Sequence, residues 1–334
     1  MNKLRKNLNK RLNLADQMVL IGIFLAFLYW GIESFLNVFS PEEINFYRQI
    51  FGPNVSEMWM RLVVICLFMI FGSHVQYTIN KRKQAEMDLL ESYRKLQNAR
   101  MATILGLAKL AEYRDEGTGT HLERIREYAK LIAGELAKNP RYTGHISPEY
   151  IDDIYQSSIL HDIGKVGIPD AILLKPDKLS DQEFDVIKRH TTLGGDAIKA
   201  IEAKIEGKSF LALGKEIAYN HHEKWDGSGY PRGLAGEGIP LSARIIALAD
   251  VYDALTTKRF YKDAYSHKRS RQIIIELKGT HFDPEVVDVF LALEDEFNRI
   301  RREKLADETE LMQAHEEVDN YPAGCGRGAL LNNS

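Results

Sequence analysis

Five of the ten histidines fall in one ordered series with two aspartates: His121, His161-Asp162, His190, His221-His222 and Asp250. Neutral imidazoles and carboxylates are the side chains that hold divalent transition metals, so seven of them within about 130 residues point to a site for more than one ion. The intervals constrain the fold. His161 to His190 and His221 to Asp250 are each 29 positions apart, too far for a local zinc finger and suited to ligands delivered by separate helices that converge. A lone His-Asp pair is ordinarily a surface or core feature; the series as a whole is not.

The chain of 334 residues, 45% hydrophobic and 27% charged, is long enough for one good core with a surplus. That surplus lies at the front. Met18 to Ile32 carries no charge and stays apolar to Phe39, and Leu62 to Asn80 is uncharged and opens with LVVICLFMIF; both approach the ~20 residues that span a bilayer. The expected spans are about 18–38 and 59–79. Lys3, Arg5, Lys6, Lys10 and Arg11 precede the first, Lys81, Arg82 and Lys83 follow the second, and the loop from Ser40 to Arg61 holds only Arg48 and Arg61. This bias puts both termini in the cytoplasm. A loop this short holds no sensor domain of ordinary size. A net charge of -3 argues against a partner that is a nucleic-acid polymer. Cys66, inside a span, and Cys325, in the tail, form no disulfide framework.

The rest reads as helical, with no alternating strand pattern, so the predicted fold class is all-α. Ser147-Pro148-Glu149, Ser180-Asp181-Gln182-Glu183 and Asp283-Pro284-Glu285 are helix starts. Gln84 to Tyr113 reads as one helix with Leu89, Tyr93, Leu96, Thr103, Leu107 and Leu110 at spacings near three and four. It fits a short parallel coiled coil, hence a homodimer, or an amphipathic helix packed on its own domain. The expected layout is a membrane anchor over 1–80, a linker helix over 81–113, a metal-binding helical domain over 100–300, and a helical extension with a disordered tail over 301–334.

His161 and Asp162 are expected near the end of a helix that stops at Gly164. Asp162 has two oxygens and is the natural bridge between two ions. One grouping places His121, His161 and Asp250 on one ion and His190, His221 and His222 on the other; an open position shared by ions ~3.5–4 Å apart holds a hydroxide suited to in-line attack at phosphorus. Glu223 to Pro240, dense in Gly and Pro, follows the paired histidines and reads as a substrate wall in which Tyr230 offers a ring face and a hydroxyl. From Pro240 to Lys262 a helix is expected, with Asp250 and Asp253 on one face and Arg259 and Lys262 on another, where they can clamp phosphate oxygens.

The string HDIGKVGIPDAILLKPDKL from His161, then His190, HHEKWDGSGYP from His221 and ARIIALADVYDALTTKRFYK from Ala243 resembles the HD-GYP family, a branch of the HD superfamily of metal-dependent phosphohydrolases. The likeness runs from roughly Arg100 to Glu296. It implies an HD-type helical bundle that hydrolyses the bacterial second messenger cyclic di-GMP to linear pGpG, in some members onward to GMP, with two divalent ions, iron or manganese foremost. It also implies a place on the bacterial inner membrane with the catalytic domain in the cytoplasm, and diguanylate cyclases or other signalling proteins as partners. The family's ligands fall on His121, His161, Asp162, His190, His221, His222 and Asp250. Lys165 matches a lysine beside the hydroxide and scissile phosphate, and Arg259 and Lys262 match phosphate contacts. Gly229-Tyr230-Pro231 is the naming triplet. Asp253 matches a carboxylate behind the ligands that orients one of the histidines.

Two positions depart from the family pattern. Members with three ions resemble one another in carrying a glutamate four residues before the first histidine; here that place is Gly117, with Glu116 one position off. Two ions are therefore expected. Phe260 stands where the family usually has proline. The alternatives are a receptor that binds cyclic di-GMP without hydrolysis, and a phosphodiesterase for another cyclic dinucleotide.

Overall fold

Each helix start legible in the sequence is built by the side chain that announces it. The Ser147 hydroxyl accepts from the Tyr150 amide with Pro148 in the first turn. Ser180 and Glu183 exchange both bonds of a capping box, and Asp283 accepts from the Glu285 amide. These bonds satisfy amides that a helix leaves orphaned at its first turn.

The computed structural model describes residues 17–36, 39, 46–51, 54–112, 120–207, 209–258 and 263–319. The chain divides into two units, Met1–Ala99 and Arg100–Ser334. The described residues form twelve α-helices: α1 Gln17–Leu36, α2 Phe46–Phe51, α3 Val55–Glu112, α4 His121–Leu136, α5 Pro148–Ser157, α6 Asp170–Leu173, α7 Asp181–Glu202, α8 Leu211–Asn220, α9 Leu241–Thr256, α10 His267–Glu276, α11 Pro284–Ala292 and α12 Glu294–Asp319. Among the described residues there is no strand, only an isolated bridge between Lys278 and Phe282. The fold is all-α. The tail expected to be disordered lies, from residue 320, outside the described residues.

In the first unit, α1 and α3 are the two helices long and apolar enough to cross a membrane. They touch through Gly22 and Gly72: a methyl on Gly22 would stand 2.8 Å from the Phe68 carbonyl oxygen, and one on Gly72 2.8 Å from that of Met18. Small residues at such a crossing let backbones meet. The connection between the apolar helices contains a short helix, α2, and Arg61 sits inside α3. It is buried there, with its guanidinium 2.7 Å from the Ile50 carbonyl oxygen and 3.4 Å from Glu33. The linker helix is continuous with the second apolar helix within α3.

The second unit is built on α4 and α9. Ile125, Tyr128, Ile132, Ile245, Leu248 and Tyr252 are fully buried against Ile274, Phe282, Phe290 and Phe297 from the later helices. The Tyr128 and Phe297 rings stack at 4.5 Å, and Tyr252 meets both edge-on. Each buried side chain of this size stabilises the fold by roughly 1.5–3 kcal/mol. A smaller cluster joins Leu122 to Ile159, Leu160, Ile198, Phe210 and Ala218, fastening α7 and α8 beside α4.

Two helix ends differ from expectation. α5 ends at Ser157, and the chain tightens into 3-10 turns at Ser158–Leu160 and Ile163–Gly167, so His161 and Asp162 lie between turns rather than on a helix. α9 stops at Thr256 instead of running to Lys262. Thr257 is extended, its amide bonded to the Asp253 carbonyl, while its side chain is drawn to Arg124 and Asp253. Arg259 and Lys262 lie outside the described residues.

Candidate metal centre

The 3-10 turn Ile163–Gly167, which directly follows His161 and Asp162, is pressed against α7 through Gly164. A methyl there would stand 2.0 Å from the His190 carbonyl oxygen and 2.5 Å from the Gly194 amide nitrogen. Only glycine permits this approach, and it brings Asp162 to His190. His121 opens α4, His221 caps the end of α8 with His222 next to it, and Asp250 and Asp253 project from α9.

The seven expected ligands come together in two groups, Asp162, His190, His221 and His222 in one and His121, His161 and Asp250 in the other. Asp162 faces both. Its Oδ1 lies 3.2 Å from His190 Nε2 and 3.6 Å from His221 Nε2, while its Oδ2 lies 3.4 Å from His161 Nε2. Lys165 Nζ is 2.8 Å from Asp162 Oδ2.

Backbone carbonyls fix how three of the imidazoles present themselves. His161 Nδ1 lies 2.9 Å from the Ser158 oxygen, His190 Nδ1 2.7 Å from that of Ile187, and His221 Nδ1 3.0 Å from that of Ile217. A carbonyl can only accept, so each Nδ1 carries a proton and each Nε2 is turned toward Asp162. The Nε2 atoms of His190 and His221 lie 3.4 Å from each other. His161 Nε2 and Asp162 Oδ1 are buried and make no hydrogen bond. A cation satisfies all of these atoms, and the residues present therefore fit a divalent metal.

Charge in the pocket is arranged to the same end. Burial opposes ionisation of Asp162, but Lys165, His161 and His221 outweigh it and hold the carboxyl well below its usual range. Burial pushes the His190 imidazole down to about 4, with His221 adding to the drop. Burial and then His221 hold His222 well below its ordinary value. These two imidazoles are neutral at pH 7. At His121 burial works against the proton, yet Glu112, Asp253 and Asp250 raise its value to about 10.

Asp253 sits behind His121, its Oδ2 2.7 Å from Nδ1, and is gripped in turn by Arg124 at 2.5 and 2.9 Å. Arg124 is fully buried. Burial alone would raise the Asp253 carboxyl, but Arg124 and His121 hold it well below the ordinary range. Tyr230 packs on His222 with ring centroids 4.8 Å apart, and its amide donates to the His222 carbonyl. The loop carrying it is pinned by buried Glu223, which accepts from the Arg232 and Leu234 amides at 2.8 and 3.0 Å.

Three contributors escaped the sequence reading: Arg124, Glu223 and Glu112, whose Oε1 lies 3.4 Å from His121 Nε2. Arg124 stands three residues after His121 on the buried face of α4, a spacing that offered a signal. Glu223 directly follows the paired histidines. Glu112, nine residues before His121, gave none.

The sequence profile of the family described as HD domain matches residues 105–286. A Vibrio cholerae serotype O1 protein named "Cyclic di-GMP phosphodiesterase" is 51% identical over 212 residues, covering 63% of this chain and 43% of the relative. A "Probable cyclic di-GMP phosphodiesterase" of the same organism is 47% identical over 236 residues, covering 70% and 53%. Its "3'3'-cGAMP-specific phosphodiesterase 2" is 40% identical over 198 residues, covering 59% and 35%. The match thus spans about half the length of these relatives or less.

Proposed function

Because this chain belongs to the HD domain family, we propose that it is a metal-dependent phosphodiesterase that opens cyclic di-GMP to linear pGpG. The observation that carries the reading is the convergence of the Nε2 atoms of His190 and His221, 3.4 Å apart, with Asp162 turning one oxygen to them and the other to His161. That is a two-ion cradle with a bridging carboxylate. When bound, a pair of divalent ions, iron or manganese, supplies Lewis-acid polarisation of the phosphoryl group and water acidic enough to attack near neutral pH.

The chain's own residues do the rest. Asp162 holds the two ligand groups in register. Lys165, 2.8 Å from Asp162, offsets the charge that builds on the phosphorane. Tyr230 lays its ring along the His222 side of the pocket, where a guanine base can stack. Arg259 and Lys262 clamp the phosphates; this part of the proposal rests on the sequence alone. The chain is held in a membrane by α1 and the apolar start of α3, with both termini on the cytoplasmic side, as the flanking lysines and arginines favour. Leu89, Tyr93 and Leu96, exposed along α3, support pairing of that helix with a second copy.

A second reading has one specific finding in its favour: a relative 40% identical is named for 3'3'-cGAMP. Hydrolysis of that dinucleotide needs the same ions and the same nucleophile. The full-length chain in detergent, loaded with Mn(II) or anaerobically with Fe(II), should convert cyclic di-GMP to pGpG in preference to 3'3'-cGAMP. Preference for the latter selects the second reading. Undiminished turnover by Asp162→Ala refutes the two-ion arrangement.

A further inference from the structure

The row of rings that begins at the metal ligands does not end at Tyr230. Tyr230 lies 4.8 Å from His222, and the ring of Phe184 stands edge-on to it at 6.2 Å. Phe184 belongs to α7, the helix that carries His190, and is 43% exposed. Lys188, one turn further along α7, holds its Nζ 4.8 Å from the Phe184 ring centroid and 5.9 Å from that of Tyr230. From this placement we infer that Lys188 reads the edge of the guanine stacked against Tyr230, with Phe184 closing that side of the pocket, an assignment that rests on the phosphodiesterase reading above.

Rigidity and charge favour recognition over an ordinary surface lysine. The start of α7 is pinned: Ser180 and Glu183 exchange both bonds of the capping box, and Lys175 Nζ reaches both Glu183 oxygens at 2.8 Å, which fixes Phe184 at the next position. A flat base laid against these rings takes the exposed apolar surface of Phe184 out of water. An ammonium has three donors and no acceptor. Asp185 takes one of them at 2.8 Å but is itself 70% exposed, a pairing that water screens and that holds the ammonium weakly. Guanine presents two acceptors on one edge, O6 and N7, whereas adenine sets an N6 amino donor beside its N7. A donor-only group is therefore complementary to guanine and opposed by adenine. Lys165 is engaged with Asp162 at 2.8 Å and serves the phosphate, while Lys188 serves the base.

The test separates recognition of the base from the chemical step. Full-length wild type, Lys188→Met, which keeps the aliphatic stem and removes the charge, and Lys188→Arg are loaded with Mn(II) in detergent. KM and kcat are measured for cyclic di-GMP, with cyclic di-AMP as competitive inhibitor. Lys138→Met, altered at an exposed ion pair just beyond the end of α4, serves as control. We expect Lys188→Met to raise KM for cyclic di-GMP roughly 5–100-fold, with kcat, the thermal midpoint and the inhibition constant of cyclic di-AMP unchanged. Lys188→Arg and Lys138→Met should keep the wild-type KM. With 3'3'-cGAMP, wild type should yield mainly one of the two linear products, because only the guanine suits Lys188, and Lys188→Met should yield both. An unchanged KM in Lys188→Met, or a KM and a cyclic di-AMP constant that rise by the same factor, would overturn the assignment and leave the phosphodiesterase reading standing. A wild type that binds cyclic di-GMP without opening it, with a calorimetric dissociation constant that Lys188→Met raises, would keep Lys188 at the base and end the phosphodiesterase reading. A wild type that neither binds nor opens cyclic di-GMP would overturn both.

Discussion

Replacing Gly164 by alanine tests whether the two ligand groups depend on one backbone approach. The added methyl would lie 2.0 Å from the His190 carbonyl oxygen and 2.5 Å from the Gly194 amide nitrogen. Nonbonded atoms reach their attractive separation only at about 3.5 Å, so the 3-10 turn must retreat from α7 by roughly 1.5 Å. Both obstacles are backbone, and no side chain can rotate away. Asp162 Oδ1 and His190 Nε2, now 3.2 Å apart, would then separate beyond the ~4.2 Å that two ligands on ~2.1 Å arms can span. Overpacking of this kind costs about 1–3 kcal/mol, a fall in unfolding midpoint of roughly 2–12 °C for a unit of this size. Metal affinity should fall at least tenfold, read by calorimetry on the stripped protein. Gly167→Ala is the matched control, because its methyl meets only the mobile Cδ1 of Leu193 at 2.9 Å. A Gly164→Ala chain with wild-type midpoint and wild-type metal affinity would refute the reasoning.

Arg124→Met should be severely destabilising, by about 3–5 kcal/mol, because it leaves the buried Asp253 carboxylate without its cation; chemical denaturation measures this, and Asp253→Asn should weaken Mn(II) binding with a smaller change in midpoint. Glu223→Ala should raise KM more than it lowers kcat, with faster hydrogen exchange at the Arg232 and Leu234 amides that Glu223 now holds. Metal loading should release protons at pH 7.5, since His121 is raised to about 10 by its carboxylates and must be neutral to ligate. Calorimetry in buffers of different ionisation enthalpy reads the count, and zero release contradicts it. The same raised value has a stability consequence with a definite sign. In the metal-free protein the contribution of His121 is fully present below its unfolded value near 6.5 and is lost as pH rises through about 10. The metal-free midpoint should therefore decline across that window.

The ligand series was legible because metal chemistry restricts residue type so strongly that order and spacing suffice. The starts of α5, α7 and α11 were legible for a comparable reason, since Ser147, Ser180 and Asp283 sit where a helix needs an acceptor. What stayed hidden depends on partners distant in sequence. Arg124 occupies a helical position whose neighbours Ile125 and Tyr128 are core, and only its pairing with Asp253, 129 residues away, explains a fully buried guanidinium. Glu112 closes one α-helix in a chain rich in acidic residues, and nothing in its neighbours distinguishes it. The end of α9 was overestimated because no Gly or Pro follows Thr256 before Lys262 to announce a stop. A tertiary contact decided the matter, as Thr257 turns toward Arg124 and Asp253.

The central claim is that Asp162 joins two cation sites. Anomalous diffraction from crystals of the Mn(II)-loaded chain tests it most directly. Two peaks about 3.5–4 Å apart, one beside each carboxylate oxygen of Asp162, are the predicted result. A single peak, or a pair with Asp162 facing neither, would contradict it.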